Sequence, residues 1–146
     1  MAVTFNATAG SAGIPFVGAG KTYVAKSGII DMKTLGCVTT DIVQCINIPA
    51  GTLVHNVVVK IVRAAAGTTA TADVGDDAGT DSFDNDINLK ATAGTLTIGA
   101  GGTDAFVTAG GKLYTAANTI DLVLTHNTVT DAGSVQVFAI CTAVVE

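Results

Sequence analysis

The sequence predicts an all-β protein, a sandwich or barrel of about eight strands. Three observations carry this. Ala, Thr, Val and Gly supply 80 of the 146 residues, and the β-branched share of that pool suits a pleated surface. One glutamate (Glu146) and one arginine (Arg63) leave too few helix formers for a bundle or coiled coil. Several segments alternate apolar and polar residues with a period of two, punctuated by Gly, Asp and Asn. This length fits a single domain, and a chain of this size can withdraw roughly 68–70% of its unfolded surface from water.

Residues 1–21 are rich in Gly and Ala with scattered large apolar residues and no sustained period, which predicts an extended arm. Phe5, Ile14, Phe16 and Val17 are its candidate anchors on another surface. Residues 22–146 then form the domain. Thr22–Ala25 is a short strand stopped by Ser27-Gly28, and residues 29–37 are ambiguous. Asp41–Ile48 alternates, with Ile42, Gln44, Ile46 and Ile48 on one face and Val43, Cys45 and Asn47 on the other. Pro49-Ala50-Gly51 turns the chain into Thr52–Arg63, the strongest strand. Its centre, Val57-Val58-Val59, is apolar on both faces, as in the middle of a sandwich.

Thr71–Val74 is a short strand leading into an acidic loop over residues 75–94, with a helical turn near Phe83–Leu89. Thr95–Ile98, Ala105–Thr108 and Lys112–Thr115 are short strands around Gly-rich loops. In Thr119–His126, Ile120, Leu122 and Leu124 face inward and Asp121 and Thr125 outward. Ser134–Val145 closes the chain, with Val135, Val137, Ala139 and Cys141 opposite Phe138 and Ile140.

Composition also excludes functions. A formal charge of −5 and a pI near 4.7 oppose nucleic-acid binding, which needs a basic footprint. No run approaches 18 apolar residues, so no membrane span is expected. The N-terminus lacks the basic start and apolar stretch of a secretory signal. Cys37, Cys45 and Cys141 are an odd number and read as small reduced hydrophobes, in keeping with synthesis in a reducing cytoplasm.

Candidate chemistry is sparse. Gly20-Lys21-Thr22 ends like a phosphate-binding loop, but Pro15 replaces the first required Gly and a strand-like segment follows where a helix is needed. The stretch from Asp73 to Asp86 holds six aspartates. Asp76, Asp77, Asp81, Asp84 and Asp86 are candidate ligands for a hard cation such as Ca²⁺, although their spacing is not that of an EF-hand. The alternative is a solvated turn. His55 and His126 lack partners at metal-ligand spacing. No Gly-x-Ser-x-Gly elbow and no positioned carboxylate pair is present, so no catalytic residue, cofactor or enzymatic activity is expected.

Ile48-Pro49-Ala50-Gly51-Thr52-Leu53-Val54 runs into a Val-rich strand. Thr68–Asp76, Tyr114–Leu122 and the closing Gly133–Val137 follow. Over residues 41–146 this succession resembles head decoration (cement) proteins and other small β-sandwich proteins of tailed bacteriophages. The resemblance implies a jelly-roll-like sandwich that binds the major capsid protein on the outside of the capsid, commonly as a homotrimer, with the arm on the shell or a neighbouring subunit. The alternative it leaves open is a receptor- or glycan-binding domain of a tail fibre. Neither reading calls for nucleic acid, a membrane or a cofactor.

Overall fold

A computed structural model describes residues 2–8, 20–98, 106, 109–126 and 131–144. Eleven strands alternate with short turns: β1 (Thr4–Asn6), β2 (Thr22–Lys26), β3 (Ile30–Asp31), β4 (Ile42–Ile48), β5 (Thr52–Arg63), β6 (Ala70–Asp76), β7 (Gly79–Asn88), β8 (Leu96–Ile98), β9 (Lys112–Tyr114), β10 (Asn118–His126) and β11 (Ser134–Ala143). A single helical turn, α1 (Met32–Leu35), is capped by Asp31, whose carboxylate accepts from the Lys33 and Thr34 amides. It occupies the stretch whose sequence is ambiguous.

The strands form two sheets. Sheet A runs β1-β4-β10-β6-β7. Sheet B runs β2-β11-β5-β8, with β3 beside β11 and β9 beside β5. β2 and β3 pair with successive stretches of β11, so they act as one interrupted strand. β8 and β9 do the same along β5, with residues 99–111 between them. Counted this way, and setting β1 aside, there are eight strands. In chain order the first, eighth, third and sixth make sheet B, and the second, seventh, fourth and fifth make sheet A. That is the jelly-roll order of two packed antiparallel sheets, as the resemblance implied. β1 adds a fifth strand to sheet A, parallel to β4.

The core lies between the sheets. Val43, Cys45, Ile46 and Ile48 of β4, Ile120, Leu122 and Leu124 of β10, and Val74 of β6 meet Val54, Val57, Val59 and Ile61 of β5 and Val135, Val137, Ala139 and Cys141 of β11. Among several register irregularities, two re-aim core side chains against strict alternation. In β4 the register skips Cys45 opposite Ile120/Asp121, so Cys45 and Ile46 both face inward. In β5 it skips His55 opposite Ile140/Cys141, so Val54 joins the inward set of Val57, Val59 and Ile61. A strict two-residue period places Cys45 and Ile46 on opposite faces, and the bulge in β4 turns both inward.

The acidic stretch is the main correction to the sequence expectation. Residues 79–88 are strand β7, not a loop with a helical turn. Phe83 and Ile87 fill the core from it, and Leu89 just beyond it does the same. The β6–β7 hairpin turns at Asp77-Ala78 and crowds tightly over β6. A Cβ on Gly75 would meet the Gly79 carbonyl oxygen at 1.8 Å, so only glycine fits there. Gly133, at φ +79°, turns the chain into β11 with no room for a side chain against the Arg63 carbonyl. The segment 105–108 expected as a strand lies outside the described residues apart from Phe106. That ring packs edge-on to Phe83 at 5.1 Å between centroids.

Phe83 is fully buried and supports both the core and Phe106. Phe83→Ala should therefore destabilise the fold by about 3–5 kcal/mol, the range for deleting a buried aromatic, as measured by chemical denaturation.

Candidate functional site

Three surface features could carry function, and each follows from strand alternation. The first is the outer face of sheet B. Because Val135, Val137, Ala139 and Cys141 point inward, Phe138 and Ile140 point out. Their cross-strand neighbours set Phe138 beside Val58 and Val58 beside Ile98, while Ile140 lies beside Val24. Val24, Leu96 and Ile98 are each more than half exposed. Val24, Val58, Leu96, Phe138 and Ile140, with Lys60 and Gly94, line an open apolar groove of about 510 Å³. Contiguous apolar surface of this kind marks an interaction site. It also accounts for the two-sided apolar centre of β5: Val57 and Val59 are buried in the core, whereas Val58 faces outward.

The second feature is a buried polar cluster where the β6–β7 turn meets β9. The Asp76 side chain is wholly inaccessible. One of its oxygens accepts from Lys112 Nζ at 2.5 Å and from the Tyr114 hydroxyl at 2.7 Å. The other accepts from the Ala78 and Gly79 amides. The Lys112 ammonium also lies 4.3 Å from the centre of the Phe106 ring. Burial opposes the charge on Asp76. The hydrogen bonds from Lys112, Tyr114 and the Ala78 amide, with the Lys112 charge, outweigh it and hold the carboxyl below its usual range. Burial, then donation to Asp76, pushes the Tyr114 hydroxyl up.

The third feature is a cleft on the outer face of sheet A. It has a volume of about 300 Å³ and is lined by Thr4, Ile42, Gln44, Asp76, Asp77, Thr80, Asp121 and Val123. Asp121 is 6% exposed, and its Oδ1 has no hydrogen-bond partner among the described residues. Burial, with the nearby Asp76 and Asp77 charges, raises its pKa against the counter-effect of the Thr119 hydroxyl.

The aspartates expected as cation ligands are scattered rather than convergent. Asp76 is engaged by Lys112 and Tyr114, Asp84 is buried, and Asp77, Asp81 and Asp86 are exposed. Asp77 accepts from the Asn118 amide at 2.5 Å, and the Asp86 amide donates to Asp73. Among the described residues no three His, Cys, Asp or Glu side chains are placed to hold a metal ion. Asp121, the residue with an orphaned oxygen, was not among the candidates. Its outward position in an alternating strand resembles an ordinary solvated face, yet it is buried where β10 lies between β4 and β6.

Of the expected arm anchors, Phe5 lies in β1 and packs half-buried against the core. Ile14, Phe16 and Val17 lie outside the described residues. Thr22 opens strand β2 where a phosphate-binding loop would need a helix. Cys37, Cys45 and Cys141 are buried free thiols, and burial foremost raises all three, Cys37 and Cys141 to about 11. His55 Nε2 hydrogen-bonds the Thr142 hydroxyl at 2.8 Å on the outer face of sheet B.

No family model and no curated protein matches the chain. Solved structures do. A chain of the capsid of Ralstonia phage GP4 superposes with a TM-score of 0.65 at 13% identity, covering 99% of this chain and 100% of that one. A chain of the cyanophage Pam1 capsid asymmetric unit gives 0.59 at 20% identity, over 90% and 91%. One from the acidic stable capsid of Helicobacter pylori bacteriophage KHP30 gives 0.57 at 15%, over 85% and 88%. At these identities the likeness is one of fold.

Asp76 and Asp121 should act on stability with opposite signs. The lowered pKa of Asp76 gives stabilisation that is present above the ordinary carboxylate range and lost as pH falls through its folded value. The raised pKa of Asp121 gives a penalty at neutral pH that disappears as pH falls through its folded value. Lys112→Ala, which strips Asp76 of its cation, should cost about 3 kcal/mol at pH 7. That loss should shrink once the acid is protonated, as denaturant midpoints across pH 2–7 will show.

Proposed function

We propose that this chain is a structural protein of a tailed-phage virion. In this reading it binds the major capsid protein on the outside of the head as a homotrimer and stabilises the shell. The observation that supports it best is the fold correspondence, over 85–99% of this chain, with chains of three phage capsids. The apolar face of sheet B adds support, because a module that works by repeated assembly needs a surface to bury. The jelly roll supplies a stiff frame for it. Residues 1–21 are the proposed shell-binding arm, with Phe5, Ile14, Phe16 and Val17 as candidate contacts; within this chain β1 adds a strand to the edge of sheet A, and strand addition to a partner's edge is the mode proposed for the arm.

Electron microscopy of the particle tests the reading directly. Density for this chain should sit at symmetry positions of the head; density on the tail would favour a fibre domain instead. A chain lacking residues 1–21 should keep a cooperative melt yet fail to decorate shells, and undiminished decoration would remove the arm from the proposal. Val24→Lys with Ile98→Lys should weaken self-association measured by light scattering. Each substitution should leave the stability of the separated subunit within about 0.5 kcal/mol, as for other exposed sites.

A further inference from the structure

The cleft on sheet A gathers carboxylates for which the chain itself supplies no free cation among the described residues. Asp121 is more than nine-tenths buried, and its Oδ1 is orphaned among the described residues. Asp76 and Asp77 lie close enough to disfavour its charge. A buried, unpaired carboxylate is a costly feature. The Lys112 ammonium is already spent on Asp76. A metal ion fits poorly, because no three acidic, histidine or cysteine side chains converge among the described residues. An ammonium group needs fewer ligands, and a space of about 300 Å³ admits a side chain. The lining also suits one: Ile42 and Val123 offer apolar wall to a lysine stem, while Asp77, Asp121, Gln44 and Thr80 offer oxygens to its head.

We propose that this cleft receives the ammonium of Lys21 or Lys26 from a neighbouring copy of the chain. Both lysines are exposed, Lys21 just before edge strand β2 and Lys26 at its end, and neither has an acidic partner among the described residues. The inference rests on the homo-oligomeric reading above. A closed trimer is held by heterologous contacts, in which one patch meets a different patch on the next subunit. The cleft and the β2 edge are two such patches of opposite charge, so the contact fixes the direction of association.

The test combines native mass spectrometry, thermal melting and carbodiimide coupling of mixed ¹⁴N- and ¹⁵N-labelled chains. Asp121→Asn with Asp77→Asn should weaken association at least tenfold, and so should Lys21→Gln with Lys26→Gln. The separated Asp121→Asn subunit should melt at or above the wild-type temperature, showing that lost assembly is not lost folding. Coupling should join Asp77 or Asp121 of one copy to Lys21 or Lys26 of another. Association unchanged in the Asp variants of an oligomeric protein overturns this contact alone, as does coupling confined within single copies. A melting rise with CaCl₂ that Asp121→Asn abolishes would assign the site to a metal and overturn it too. A wild-type chain that stays monomeric at every concentration removes the homo-oligomeric reading together with this contact.

Discussion

The molecule depends on its last strand reaching a slot between strands laid down far earlier. β11 pairs with β5 over ten residues and with β2 on its other side. Until it arrives, β2 and β5 are not joined, and the apolar residues of sheet A lack the core partners Val135, Val137, Ala139 and Cys141 that β11 supplies. The entropy of closing so long a loop must be spent before the contacts form. The entry to β11 is accordingly well fixed. Arg63 at the end of β5 makes a double hydrogen bond to Asp131, at 2.6 and 2.7 Å, and a third to Asp31. Gly133 then turns in the only space available. These ion pairs are partly exposed and contribute modest energy. Their effect is to define where β11 begins, and hence which of its faces points inward.

That register decides the outer surface as well. Once Val137 and Ala139 are in the core, Phe138 and Ile140 must lie outside, beside Val58 and Val24. The bulge at His55 keeps Val54 inward while leaving Val58 outward, so one strand serves two apolar surfaces. Sheet A is built the other way: its outer face carries Thr4, Gln44, Asp73, Asp121 and Thr125. The same frame thus presents an apolar face and an acidic one, and the difference arises from strand alternation alone.

Much of this was legible in the sequence. β4, β5, β10 and β11 combine a period of two with flanking Gly, Pro or Asn, and burial of one face is what that period encodes. β7 was not legible, because its Asp and Asn residues carry strong turn preference, while Phe83 and Ile87 are spaced four apart as on a helix. Burial of both side chains against the core outweighed local propensity. The polar cluster was hidden for a different reason. Asp76 lies 36 residues from Lys112 and 38 from Tyr114, and no short-range pattern joins positions that only the closed sandwich brings together. β2, β8 and β9 were read as short strands, whereas the two-residue β3 and the way the halves pair into interrupted edge strands escaped, because each half is too short to show a period.

The composition that opened the sequence to a β reading also bears on assembly. Long charged side chains lose much rotamer freedom when an interface immobilises them, whereas Val and Ile lose little. The outer face of sheet B is made of Val24, Val58, Ile98, Leu96, Phe138 and Ile140 on strands already held by backbone hydrogen bonds. Such a surface is organised before any partner arrives, so more of the area it buries appears as affinity. Under the proposed assembly, scarcity of Glu, Arg and Lys suits a surface to be covered as much as the strands that present it.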